Sequence, residues 1–177
     1  MARHIVLLRG INLGARNRIA MPELRKALEE AGFDEVQTYV QSGNVVLSSS
    51  GSAAHVARTV ERQVSESFGL DIDVVVRTRA QLAKVVERNP LAKVAKNPKR
   101  YQVSFLSAKP SAGVMRKLEE AAAEKERVVL IGREIYAWHP EGVGRSRLWT
   151  LLAGRGLGVT ATARNWTTVT KLLDLAS

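Results

Sequence analysis

The sequence predicts an α+β protein made of two ferredoxin-like halves, each with an antiparallel sheet that carries helices on one face. Short β-branched runs alternate with amphipathic helical segments, and hairpin turns recur at matching places in the two parts of the chain. The composition, 45% hydrophobic and 25% charged, is that of a soluble globular protein. We expect a first half over residues 1–78, a helix and basic linker over 79–100, and a second half over 101–177, either as two domains or as one integrated domain.

The first half has the element order β-α-β-β-α-β, which is that of the split βαβ unit. Apolar residues recur every three or four positions in its helices, as Met21, Leu24 and Leu28 do before Gly32 ends the first helix. The predicted elements are a strand over Ile5 to Leu8, a helix over Met21 to Ala31, strands over Val36 to Val40 and Val45 to Ser48, a helix over Ala53 to Phe68 and a strand over Ile72 to Val76.

The second half repeats this topology without repeating the sequence. Its order, β-α-β-β-α-α, is that of a ferredoxin-like unit that lacks its last strand, so we expect it to end in helices. A helix over Arg79 to Arg88 precedes it. The predicted elements are a strand over Gln102 to Leu106, a helix over Ala112 to Ala123, strands over Arg127 to Ile131 and Glu134 to Trp138, and helices over Ser146 to Ala153 and Trp166 to Leu175.

The composition also excludes several classes of protein. Cysteine is absent, which excludes disulfides, thiolate nucleophiles and cysteine-ligated metal sites. No apolar run approaches the roughly 20 residues that span a bilayer, and only four apolar residues follow the first His. We therefore expect a cytoplasmic protein that does not contact a membrane.

The formal net charge of +10 is concentrated in the second part of the chain. Residues 1–78 hold nine basic and nine acidic side chains, so the whole excess lies in residues 79–177. Clustered Lys and Arg gain affinity for a polyanion by releasing its counterions. The asymmetry favours a nucleic acid or another anionic partner, while a coding bias toward arginine is the alternative explanation.

Four motifs in order along the chain carry a resemblance to a known family. They are Leu7-Leu8-Arg9-Gly10-Ile11-Asn12-Leu13-Gly14, Thr38-Tyr39-Val40-Gln41-Ser42-Gly43-Asn44-Val45, Pro140-Glu141-Gly142 with Arg145-Ser146, and Thr162-Ala163-Arg164-Asn165-Trp166-Thr167-Thr168-Val169. With these motifs the chain resembles the bacterial domain of unknown function 1697 family over essentially its whole length. The resemblance implies the α+β fold just described and brings no established activity, cofactor or catalytic residue.

A loop rich in glycine and arginine follows the first strand and is the first candidate for an anion site. Glycines allow close backbone approach, and the backbone amides beside Arg9, Asn12, Arg16 and Arg18 could hold a phosphate. The loop matches neither the Walker motif nor the dinucleotide fingerprint. The alternative is a structural loop with solvated arginines.

The hairpin at Gln41-Ser42-Gly43-Asn44 is a second candidate for ligand binding. Gln41, Ser42 and Asn44 could face a ligand, although Ser-Gly-Asn is also good chemistry for a two-residue hairpin connection. Ser42 lacks the Gly-x-Ser-x-Gly elbow of a nucleophilic serine. The turn interpretation is the stronger one.

The start of the last helix offers two more candidate ligand residues, Arg164 and Asn165. Asn165 is a predicted N-cap, and Trp166 is predicted to pack in the core. The functional alternative is that Arg164 and Asn165 point into a cleft shared with the first loop, together with Arg145 and Ser146. In that arrangement the arginines would act as charge-assisted donors to an anion.

The linker forms a basic stretch without acidic residues and is a candidate nucleic-acid patch. Basic side chains next to an aromatic suit single-stranded nucleic acid, in which bases stack and phosphates pair with cations. A solvated basic linker is the alternative. The patch consists of Arg88, Lys93, Lys96, Lys99, Arg100 and Tyr101.

No metal or cofactor is predicted. The three histidines, His4, His55 and His139, do not stand at metal-ligand spacing, and there is no His-Glu-x-x-His motif. We predict a binding module for a phosphorylated small molecule, a nucleotide or a nucleic acid backbone. Two alternatives remain open: an enzyme that acts on an anionic substrate in the same pocket, and a protein-protein interaction module without an anion site. The sequence identifies no catalytic residue and no oligomeric state.

Overall fold

The computed structural model describes residues 1–154 and 156–177 and divides them into two compact units. The first unit contains Met1–Lys84 together with the C-terminal residues Lys171–Ser177, and the second contains Val85–Thr170. We call them unit 1 and unit 2.

Unit 1 has the predicted order β-α-β-β-α-β, followed by the start of a further helix. Its sheet is antiparallel, with the strand order β2-β3-β1-β4. The elements are β1 (Ala2–Leu8), α1 (Met21–Glu30), β2 (Asp34–Tyr39), β3 (Asn44–Ser49), α2 (Ala53–Phe68), β4 (Val74–Thr78) and α3 (Arg79–Arg88), the last of which continues into unit 2.

The core of unit 1 lies between one face of this sheet and helices α1 and α2. Val6 and Leu8 of β1 pack there against Leu24 of α1 and Val60 of α2. All four side chains are buried, and burial of each contributes roughly 1.5–3 kcal/mol. Local signals set the ends of α2, because the Ser52 hydroxyl caps its first turn and the chain leaves it through a left-handed glycine.

Unit 2 contains a second four-stranded antiparallel sheet, with the strand order β6-β7-β5-β8 over the residues that the structure describes. Its elements after α3 are the short 3₁₀ helix η1 (Pro98–Arg100), β5 (Tyr101–Leu106), α4 (Val114–Ala121), β6 (Arg127–Ile131), β7 (Glu134–Trp138), α5 (Arg147–Ala153), β8 (Ala161–Asn165) and α6 (Trp166–Leu175), the last of which continues into unit 1.

Strand β8 corrects the expectation that the second half lacks its last strand. Ala161–Asn165 pairs antiparallel with the central strand β5, so the order is β-α-β-β-α-β with a helix after it. The segment has no apolar run, since small and polar residues alternate in it. Its strand conformation therefore comes from pairing with β5 and from burial of Ala161 rather than from local propensity.

The two faces of the second sheet carry different side chains. One face packs Leu106 and Ile135 against Leu118 of α4 and Leu148 of α5. The other face carries aromatic residues, including Tyr101, whose ring stacks on that of Trp166 with centroids 4.7 Å apart. Both sheets together confirm the predicted α+β class. No helix in the described ranges is long and apolar enough to cross a membrane.

Candidate functional site

Three neighbouring depressions on unit 2 form one connected surface. The first, of about 520 Å³, is lined by residues 88–94 and Arg127, and the second, of about 250 Å³, lies around Trp138. The third, of about 630 Å³, lies between residues 120–126 and residues 140–147. Val94 and Arg127 line both the first and the second depression, and Lys125 and Pro140 line both the second and the third. We call this surface the basic groove.

The linker supplies exposed cations to the groove. Lys93, Lys96 and Lys99 are all exposed, and Lys93 lines the first depression. Two hydrogen bonds join the linker to the residues that follow β7. The Arg100 guanidinium donates to the Pro140 carbonyl, and the His139 amide donates to the Arg100 carbonyl over 3.0 Å. Of the predicted basic patch, Arg100 therefore contacts the second depression, and Arg88 and Lys93 line the first.

Arginine side chains on the groove wall are held by neighbouring groups. The Arg127 guanidinium donates to the carbonyls of Glu124 and Glu126, over 2.9 and 2.8 Å. Arg88 forms an ion pair with Glu134 at 3.9 Å. These contacts limit the conformations of Arg127 and Arg88, which reduces the entropy that a bound anion would remove from them.

The aromatic residue on this surface is Trp138, not Tyr101. Tyr101 was predicted to belong to the patch, but it is only 1% exposed and therefore cannot stack on a base. Burial raises its pKa to about 12, although the backbone of Leu91 lowers it. Trp138 stands opposite both Tyr101 and Arg127 in the sheet, is half-buried and lines the second depression.

A buried carboxylate, that of Glu126, forms part of the wall of the third depression. Its Oε1 accepts the Ala123 amide at 3.0 Å, and its Oε2 accepts the Ser146 hydroxyl at 2.6 Å and lies 2.6 Å from Nδ1 of His139. Burial by itself would raise the pKa of Glu126, but these three hydrogen bonds outweigh it and lower the pKa below its usual value.

The arrangement of Glu126, His139 and Ser146 is not that of a catalytic triad. In a triad the serine and the acid face different nitrogens of the imidazole. Here both face Nδ1, with the Ser146 oxygen 3.4 Å from it, while the buried Nε2 of His139 has no hydrogen-bond partner among the residues that the structure describes. Ser146 also caps α5 by accepting the Trp149 amide at 3.0 Å. The network therefore joins three segments of unit 2 and does not activate a nucleophile.

The rim of the third depression carries both signs of charge. Its exposed cations are Lys125, Arg145 and Arg147. The lining also includes three exposed carboxylates and a short alanine segment: Glu120, Glu124, Glu141 and Ala121 to Ala123. The depression can therefore hold a ligand that presents both negative charge and hydrogen-bond donors.

In unit 1 the predicted glycine- and arginine-rich loop is braced by Asn12. The Asn12 side chain donates to the carbonyls of Ile19 and Gln41, over 3.0 and 2.6 Å, and accepts the Ile19 amide at 2.8 Å. This contact brings the loop and the hairpin together. Arg16 and Arg18 are exposed on the loop, and an anion site there stays a prediction.

The hairpin itself is a loop of four residues, 40–43, rather than a two-residue connection. Asn44 is buried, and its side chain donates to the Tyr39 carbonyl and the Ser42 hydroxyl, over 3.1 and 3.0 Å. Gln41 and Ser42 are exposed. Asn44 therefore shapes the turn, as the structural interpretation of this motif expects.

The remaining candidates, Arg145, Ser146, Arg164 and Asn165, belong to unit 2. Arg145 and Ser146 line the third depression, whereas Arg164 donates to the Thr162 hydroxyl and the Ala163 carbonyl within β8. Burial lowers the pKa of Arg164 to about 10. Asn165 is the predicted N-cap of α6, which the 2.9 Å bond from the Thr168 amide confirms. That all predicted arginines share one cleft stays a prediction.

Sequence reasoning missed several residues of the groove. Trp138, Lys125 and Arg127 were not singled out, although a hairpin centred on Gly132-Arg133 places Arg127 opposite Trp138. No local sequence pattern links Glu126 to His139, because the two residues that form this contact lie far apart in the sequence. No group of three or more metal-ligating side chains occurs within residues 1–154 and 156–177.

Comparison with known proteins identifies a family and a solved structure to which the chain is similar. A family model described as "Protein of unknown function (DUF1697)" matches residues 1–136. The solved structure of a conserved bacterial protein from Streptococcus pneumoniae is similar, with a TM-score of 0.79, 22% sequence identity and coverage of 99% of each chain. No curated protein matches. The structural likeness establishes the shared fold.

Proposed function

The chain belongs to the domain of unknown function 1697 family, and we propose that it is a binding module for single-stranded nucleic acid. The proposed contact surface is the basic groove of unit 2. The observation that carries this proposal is the position of Trp138, a half-buried aromatic side chain in a depression that Lys125 and Arg127 also line.

The cations of the groove suit a phosphate backbone. Lys93, Lys96 and Lys99 are exposed on a linker without acidic residues, and Arg88 and Arg127 line the adjoining depression. Such side chains bind phosphates by releasing condensed counterions, which gives affinity without sequence preference. The excess of positive charge in residues 79–177 favours the same partner over long range.

The aromatic and apolar side chains favour a single strand over a duplex. The bases of a duplex stack on one another and are closed to a protein ring, whereas unpaired bases can stack on Trp138. Strand β7 holds this ring in place, and Val94 and Pro140 extend the apolar surface beside it. Each base stacked on an aromatic side chain contributes roughly 1–3 kcal/mol.

The proposal is tested by fluorescence anisotropy with labelled oligouridine and oligothymidine of about 12 nucleotides and with a duplex of the same length. We expect both single strands to bind more tightly than the duplex. Replacement of Lys93, Lys96 and Lys99 by alanine should weaken binding roughly tenfold or more.

The matched control removes three exposed lysines outside the groove: Lys26, Lys109 and Lys117. The control variant has the same net charge as the groove variant, so it separates local phosphate contacts from general attraction. An equal loss of affinity in both variants would contradict the proposed groove. Failure of the unaltered protein to bind any of the oligonucleotides would contradict the function itself.

A further inference from the structure

We propose that strand β6 binds an extended segment of a partner protein, which adds one strand to the four-stranded sheet of unit 2. The segment runs antiparallel to β6, is rich in β-branched residues and ends in acidic residues. In this mode of recognition, main-chain hydrogen bonds supply affinity and alternate side chains supply specificity. The interaction goes beyond the binding of nucleic acid and does not depend on it.

Strand β6 forms one edge of its sheet, because it pairs with β7 alone among the strands of the described residues. Its residues Val128 to Ile131 form an uninterrupted apolar run, and all four are half-buried rather than buried. The pairing with β7 continues without a bulge along the whole strand. A regular apolar edge of this kind is a template for a further strand.

The edge strand β2 of the sheet in unit 1 is protected against such pairing. Its register shifts between Asp34 and Gln37, and Glu35 has a positive φ of 51. Asp34 and Glu35 also place two exposed charges on this edge. Irregularities and charges are the usual means by which a protein blocks an edge strand. Neither occurs within Val128 to Ile131 of β6.

The hydrogen bonds of the sheet show which backbone groups of β6 point outward. The carbonyl directly before β7 and the amide directly after it form bonds of 2.9 and 3.0 Å on the β5 side. Because bonding alternates along a strand, the odd-numbered residues of β7 face β5 and the even-numbered ones face β6. The even-numbered residues pair with Arg127, Val129 and Ile131. Val128 and Leu130 therefore direct their amides and carbonyls away from the sheet.

The charges beside β6 favour an acidic partner. Lys125 and Arg127 are exposed at the N-terminal end of the strand, and the exposed Glu124 offsets only one of them. Glu126 lies between the two cations but is buried in its own network of hydrogen bonds. In an antiparallel pair the C-terminal end of the partner lies at this end of β6. Acidic residues there meet the cations, and opposite charges across strands are stabilising.

A second copy of the chain fits this edge less well than an acidic segment. Two β6 strands that pair antiparallel through Val128 and Leu130 would place Lys125 of each copy opposite Arg133 of the other. Like charges that face each other across strands are destabilising. The positive excess of the chain also lies entirely in residues 79–177, so two copies repel each other over a longer range.

A labelled peptide of about eight residues, acetyl-Thr-Val-Thr-Val-Thr-Val-Glu-Asp, tests the inference by fluorescence anisotropy. Its control has the reversed sequence, with the same composition but with the acidic residues at the amino end. We expect the first peptide to bind roughly threefold more tightly or better, because only its acidic end reaches Lys125 and Arg127 in an antiparallel pair. Equal affinity of the two peptides would overturn the inference.

N-methylated peptides test whether the main chain forms the contact. One version carries methyl groups on the amides of the three valines and the other on those of the three threonines. Because only one of these alternate sets faces β6, we expect one version to lose roughly tenfold or more in affinity and the other to bind like the unmodified peptide. An equal effect of both modifications would contradict the addition of a strand.

Val128→Pro removes one outward amide at a position where an edge strand tolerates proline. Val128→Ala is the matched control, because it also reduces packing but keeps the amide. We expect the peptide to bind roughly fivefold more weakly to the proline variant than to the alanine variant. Melting temperatures verify that both variants are folded, and the methylated peptides test the same point if the proline variant is not.

Sedimentation of the unaltered protein tests the alternative occupant. We expect a monomer that binds the acidic peptide. A dimer that Val128→Pro dissociates but Val128→Ala does not would show that a second copy occupies the edge, and would overturn the proposal. Equal peptide affinity of two folded variants, or failure of the unaltered protein to bind any of the peptides, would also overturn it. Binding of oligonucleotides is measured separately, so none of these outcomes contradicts the proposed function.

Discussion

Nδ1 of His139 lies 2.6 Å from Oε2 of Glu126, and both side chains are buried. The same carboxylate oxygen accepts the hydroxyl of Ser146, which caps α5. One side chain therefore connects the turn before β6, the end of β7 and the start of α5. Because these segments also line the third depression, the shape of that depression depends on Glu126.

Substitution of this carboxylate should destabilise the protein. Glu126→Gln keeps the size of the side chain but replaces one acceptor oxygen by an NH₂ group, which places a donor against at least one of the groups that donate to the carboxylate. We expect a loss of about 1–3 kcal/mol in the free energy of unfolding, measured by denaturant titration. The exposed Glu124→Gln is the control, with an expected change below about 0.5 kcal/mol. Equal stability of the two variants would show that the network is not structural.

The stability that Glu126 contributes should depend on pH. Its folded pKa is lowered from the usual 4.5, so the folded state favours the ionised form. The contribution is therefore complete above the unfolded pKa and is lost as the pH falls through the folded pKa. The difference in melting temperature between the natural protein and Glu126→Gln should be constant above about pH 5 and shrink below it. A difference independent of pH would contradict the assignment.

His4 should produce a second pH dependence at higher pH. Burial lowers its pKa below the usual 6.5, although the hydrogen bond to the Ala2 carbonyl raises it. Unfolded His4 therefore takes up a proton near pH 6.5 and folded His4 only at lower pH, so stability falls as the pH decreases from 6.5. His4→Gln should flatten this part of the stability profile. Parallel profiles for the two proteins would show that another group is responsible.

Backbone geometry in the first hairpin gives opposite expectations for two neighbouring residues. Gly43 has φ +79, and an added Cβ would lie 2.9 Å from Cβ of Leu8, so Gly43→Ala should destabilise by about 1–3 kcal/mol. Val40 also has positive φ, at 51, but is 53% exposed. Val40→Gly should stabilise by about 1 kcal/mol, because it removes strain without removing core packing. Changes of the same sign in both variants, measured by thermal unfolding, would contradict this account.

Local patterns predicted much of the fold. The helical periodicity of α2, its serine cap and its terminal glycine fixed both of its ends. Helix α4 was predicted over Ala112 to Ala123 but is shorter, because the chain turns at Gly113 and leaves the helix at Ala122. Strand β8 was missed for a different reason, since its conformation depends on pairing with β5.

Non-local contacts explain what the sequence could not predict. Residues 171–177 belong to unit 1, where the Arg3 guanidinium donates to the Leu175 carbonyl over 3.2 Å. In the candidate site, the linker lysines were found from charge alone. Tyr101 and Trp138 could not be distinguished in this way, because both lie on inner strands of the sheet and their different burial depends on what packs over each, as the ring of Trp166 does over Tyr101.

The role of Trp138 can be separated from that of the lysines. Trp138→Leu should weaken binding of single strands by roughly fivefold or more, because one stacked base contributes about 1–3 kcal/mol. Trp138→Phe should lose less, since a smaller aromatic ring remains. Trp149→Phe is the control, because Trp149 does not line the groove among the residues described. Equal affinities for the leucine and phenylalanine variants would show that stacking is not involved.

The dependence of oligouridine affinity on salt concentration, between about 50 and 300 mM, tests the central claim most directly. Each phosphate contact with a single strand contributes about −0.7 to the slope of log K against log salt concentration. The account predicts a steep negative slope whose magnitude falls by about 2 when Lys93, Lys96 and Lys99 are replaced by alanine, and stays unchanged in the Lys26, Lys109 and Lys117 control. Affinity that does not change with salt, or a slope that is the same in both variants, would contradict phosphate binding in the basic groove.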